Sequence, residues 1–76
     1  MNDKETLRIK ILEQIRNLEK EGIKPFFLNL DYQTKYLILS LFEEVDVSKT
    51  PYELYGLKIS QIDTDNTFIK VSGINN

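Results

Sequence analysis

The chain has 76 residues, ten basic and twelve acidic, for a net charge of −2 and a pI near 5.0. It contains neither Cys nor His, which removes the usual zinc and thiolate sites, disulfides, and nucleophilic catalysis through Cys–His or Ser–His. The charge is too acidic for general nucleic-acid affinity, which rests on a basic surface, and too balanced for an acidic DNA mimic.

One small domain, 1–76, is expected, and a chain of this size buries only about 60–65% of its unfolded surface. With no disulfide or metal to help, it relies on close packing or on oligomerisation. No apolar h-region follows a basic N-terminus, and no apolar run approaches the roughly 18 residues that span a bilayer. A cytoplasmic protein with no membrane contact is the expectation.

The first helix is predicted over 3–21, with Asn2 or Asp3 as cap, acidic residues in the first turn and Gly22 as its C′ stop. Leu7, Ile11, Ile15 and Leu18 form an apolar stripe that Ile9 and Leu12 broaden; the other side is charged and carries nothing catalytic. A turn through Pro25 leads into a strand over 26–30. Phe26, Leu28 and Leu30 are expected on one face, Phe27 and Asn29 on the other.

The stretch 31–46, DYQTKYLILSLFEEVD, organises the rest. Asp31 is a good N-cap. Ile38, Leu41, Phe42 and Val45 fall on one helical stripe, Tyr32, Tyr36 and Leu39 on a second. A helix lying on one sheet needs a single apolar face of about 100°. This one has nearly two, so it is expected to meet the sheet on one side and the first helix or another chain on the other.

In 50–56, Thr50 and Glu53 have capping-box spacing, Pro51 stands at N1 and Gly56 follows as C′, which reads as one short helical turn. Strands over 57–62 and 67–71, joined by Asp63-Thr64-Asp65-Asn66, read as a hairpin; 72–76 reads as a frayed tail. The order α-β-α-(short turn)-β-β predicts an α+β two-layer domain, a three-stranded mixed sheet with two helices. The first strand, the central helix and one hairpin strand form a crossover, right-handed if the strands are parallel.

Chemistry finds little footing. Glu43, Glu44 and Asp46 fan around a helix end instead of facing each other across a cleft. Asp63 opens like a calcium loop, but Phe68 and Ile74 stand where that loop needs Gly and Glu. No glycine-rich phosphate loop exists. No enzyme, metal, cofactor or small-molecule substrate is expected.

Two surfaces remain. One is Tyr32, Tyr36 and Leu39 on the central helix. The other is the sheet face holding Phe27, Asn29, Lys58, Ser60, Ile62, Phe68 and Lys70. The first helix covering this face within the chain is one expectation; otherwise an apolar patch on a small protein marks a protein contact more often than a nucleic-acid site. The alternative is single-stranded nucleic-acid binding, with Phe27 and Phe68 as a stacking platform and Lys58 and Lys70 as phosphate contacts.

Taken whole, the Ile/Lys/Asn bias, the absence of Ala, and the phrases GIKPFFL at 22–28 and LYGLKI at 54–59 resemble small proteins encoded in prophages of low-GC Gram-positive, Bacillus-like bacteria. That resemblance implies a phage or accessory-genome protein that acts by binding, including to a host factor, and carries over no site. The sequence therefore reads as a non-catalytic protein-interaction module, self-associating as a homodimer or binding another protein.

Overall fold

The computed structural model describes residues 3–74; Asn2, one of the two expected caps, lies outside them. The first helix, α1, is Asp3–Lys20. It ends as its sequence predicts: Gly22 adopts φ 76°, the Ile23 N–H donates to Leu18 O and the Gly22 N–H to Glu19 O, each at 3.0 Å. This double closure satisfies the last carbonyls and needs a left-handed residue at C′.

Strand β1, Lys24–Leu30, is irregular at its start. Pro25 pairs with Gly73 and Phe27 with Ser72, so Phe26 is an extra residue, a bulge. Proline gives no N–H to the ladder, and such positions gather at strand starts and bulges.

Helix α2 is Tyr32–Leu41, capped by Asp31, whose side chain accepts from the Thr34 N–H at 3.2 Å. It stops well short of the expected Asp46. Phe42 leaves the helical region, and the chain folds back so that Asp46 and Glu53 exchange backbone hydrogen bonds of 2.7 and 3.3 Å. Phe42 and Val45 are nonetheless buried. A helix and a tight turn place those two residues on the same side, so periodicity alone could not separate them.

Strand β2 is Glu53–Leu54, β3 is Leu57–Gln61 and β4 is Ile69–Ile74. The expected helical turn over 50–56 is instead this short strand and a hairpin. Leu54 pairs with Leu57, and Tyr55 and Gly56 both have positive φ, 54° and 78°. A two-residue loop with both central residues left-handed matches strand twist, which is why Gly56 stands there rather than as a helix stop.

The sheet has four strands, not three, in the order β2-β3-β1-β4. β1 runs parallel to β3 and antiparallel to β4. The expected hairpin of 57–62 with 67–71 does not form, because the two strands lie on opposite sides of β1. Residues 62–68 pass over the end of β1: Ile62 N–H donates to Leu30 O at 2.7 Å, and Asp31 N–H to Phe68 O at 3.2 Å. Strand β4 also takes in Ser72 to Ile74, which the frayed-tail reading had released.

The core joins Ile11 of α1 and Ile38 of α2 to Leu28, Leu30, Leu54, Leu57, Ile59 and Val71 of the sheet. Both helices therefore cover one face, and the molecule is a two-layer α+β domain with its second sheet face open. No helix among the described residues is long and apolar enough to cross a membrane.

Candidate interaction surface

Side chains alternate along the strands, so Phe27, Asn29, Lys58 and Ser60, interleaved with buried Leu28, Leu57 and Ile59, define the open face. Phe26 joins them, contrary to the expectation that it packs with Leu28 and Leu30. Its ring lies edge-on to Phe27 with centroids 4.7 Å apart, a distance neighbouring residues of a regular strand cannot reach. The Lys58 ammonium stands 5.7 Å from the Phe26 centroid. The bulge has turned Phe26 out of the core.

Phe68 and Ile62 lie outside the strands, on the connection that passes over the end of β1, and do not join this cluster. Phe68 is bonded opposite Asp31 and Phe27 lies opposite Ser72, four residues apart along the sheet, or about 13 Å. Between them runs a polar band in which Asn29 Nδ2 donates to Lys70 O and to Ser72 Oγ, both at 2.9 Å. The open face thus has an aromatic end, Phe26/Phe27, followed by a polar band.

Its lysines differ in kind. Lys58 is engaged twice, over the Phe26 ring and by Glu53, whose Oε2 lies 3.4 Å from the ammonium. Lys70 is exposed and makes no ion pair among the described residues. Glu53 was not anticipated on this surface; it arrives with β2, whose register sets it opposite Lys58.

On α2 the predicted trio separates. Tyr32 and Tyr36 are 64% and 67% exposed, while Leu39 is half-buried against the core. The second apolar side of the helix is thus two tyrosines in solvent, which α1 does not cover. Glu44 is not a free helix end: its carboxylate takes Lys4 Nζ at 2.9 Å and the Tyr55 hydroxyl at 3.3 Å. Lys4, and less strongly Tyr55, hold its carboxyl below the usual range.

A small two-layer α+β domain with one uncovered, mixed polar and aromatic sheet face is the class these observations define. The chain matches no protein family, no curated protein and no solved structure.

Proposed function

We propose that the protein is a non-catalytic interaction module that self-associates through the open sheet face, centred on Phe26 and Phe27. The observation that carries this reading is the bulge that moves Phe26 out of a core with little apolar material to spare. Bulges re-aim side chains, and clustered aromatics with a charged rim are what binding surfaces concentrate. A second copy fits the patch because Lys58 and Glu53 sit side by side on it. Across a two-fold axis, one patch presents its cation where the other presents its anion, so the surface is complementary to itself.

Single-stranded nucleic acid has less support: Lys58 is already neutralised by Glu53, and Phe27 and Phe68 stand too far apart to form one platform.

Light scattering on a sizing column tests the reading. The wild-type chain is expected to move from monomer toward dimer as concentration rises. Phe27→Lys should stay monomeric while keeping its circular dichroism, since Phe27 is 36% exposed and lies outside the core. A wild type that is monomeric throughout, or a Phe27→Lys chain that keeps the dimer mass, sinks the proposal. Should Phe27→Lys dimerise and Tyr36→Glu not, the contact belongs to α2.

A further inference from the structure

We infer that the groove between α2 and residues 49–52, on the helix side of the sheet, binds a small organic anion with a flat apolar body, such as an aromatic phosphate or carboxylate. The groove is lined by Lys35, Lys49, Thr50, Pro51, Tyr52 and Ile59 and is an open depression of about 410 Å³, within the roughly 300–1,000 Å³ range of small-molecule sites. Its floor is Ile59, 4% exposed, and one wall is Tyr52, whose residue is 40% exposed. A planar ring laid against Tyr52 and Pro51 would cover apolar surface that nothing in the chain covers.

The rim selects the charge. Lys35 comes from α2 and Lys49 from the loop, so two cations from separate elements border one groove. Neither makes an ion pair or side-chain hydrogen bond among the described residues. Asp46, the carboxylate that feels Lys49, has Oδ1 occupied by the Ser48 amide and hydroxyl. Two ammoniums beside an apolar floor, Lys35 with no carboxylate partner among the described residues and Lys49 with only the electrostatic attraction of Asp46, favour a ligand carrying both a ring and an acid, with the Thr50 hydroxyl as a further donor. The site lies on the layer opposite Phe27, so it stands or falls independently of self-association.

The test is a nuclear magnetic resonance titration of the isotope-labelled chain with phenyl phosphate, with inorganic phosphate and benzyl alcohol as separate arms. Phenyl phosphate is expected to give saturable shifts at Lys49, Thr50, Tyr52 and Ile59, with each half-ligand weaker by about tenfold or more. The Lys35→Gln/Lys49→Gln double variant, changed only at the groove rim, should lose at least about tenfold in affinity. Its own spectrum reports whether it is folded, and Lys70→Gln should bind as wild type. The inference is overturned by non-saturable shifts, by shifts centred elsewhere, or by equal affinity in the folded double variant. Equal binding of inorganic phosphate would also overturn it, since a bare anion site needs no ring.

Discussion

At the scale of single residues, Asp31 does more than its sequence position announces. Its Oδ2 accepts from Thr34 N–H, closing α2, and its Oδ1 accepts from Phe68 N–H at 2.9 Å, where the 62–68 connection comes down beside β1. An N-cap is legible in the sequence; a second amide from 37 residues away is not, because nothing local encodes it. Asparagine has only one acceptor oxygen. Asp31→Asn should therefore lose one bond and set an amide donor against a backbone donor, lowering stability by about 1–3 kcal/mol. Urea unfolding at neutral pH measures this, and an unchanged midpoint would show that the second bond contributes nothing. Gly73 is the other such position. A Cβ there would stand 2.2 Å from Lys24 O and 2.6 Å from Ile23 Cγ2, and a backbone carbonyl cannot rotate aside as a side chain can. Gly73→Ala should cost about 1–3 kcal/mol, the range of overpacking. A calorimetric melting temperature within experimental error of wild type would refute the close approach.

At the scale of elements, the helices and the central strand were readable because each rests on local chemistry: the Gly22 closure, the Asp31 cap, the alternation through Leu28 and Leu30. The hairpin was misread because two alternating strands with a polar connection look the same whether they pair or straddle a third. The bulge at Phe26 was hidden for a similar reason, since Pro25 permits a regular strand start as readily as an irregular one. The candidate surface was accordingly half legible: Phe27 and Lys58 stand on the expected face, Ile62 and Phe68 lie beyond the strand ends, and Phe26 and Glu53 come to the face through tertiary pairing. Edge strands bring a further requirement, since their outward amides invite another strand. On β4 the side chain of Gln14 meets it: Nε2 donates to Ile69 O at 3.0 Å, and Oε1 accepts from Val71 N–H at 2.7 Å. A single amide side chain imitates a paired residue. Gln14→Ala should lower stability by about 1 kcal/mol and speed hydrogen exchange at Val71 more than at Leu28. If Val71 exchange is unaffected, α1 shields that edge by bulk alone.

At the scale of the whole molecule, a thin core and one uncovered sheet face leave stability dependent on a few polar closures, and these share a sign. Asp31, Glu44 and Asp46 all have carboxyl groups held below their ordinary values of 3.8, 4.5 and 3.8. The causes lead with Thr34 for Asp31, Lys4 for Glu44 and Ser48 for Asp46. A carboxyl whose folded pKa is depressed stabilises the fold fully above its unfolded pKa, and that contribution disappears as pH falls through the folded value. With no histidine in the chain, no side chain at its unperturbed pKa titrates between about pH 5.5 and 8. The urea midpoint is therefore expected to be flat across that window and to drop steeply below about pH 4.5. The variants apportion the drop. Asp31→Asn starts lower at neutral pH but has lost one of the three titrating closures, so its curve should fall less and approach wild type in acid. Lys4→Met, which removes the leading cause at Glu44, should flatten the curve around that group alone. Were Asp31→Asn to run parallel to wild type down to acid, its carboxylate could not be what joins the 62–68 connection to α2, and acid sensitivity would have to be assigned to the exposed pairs.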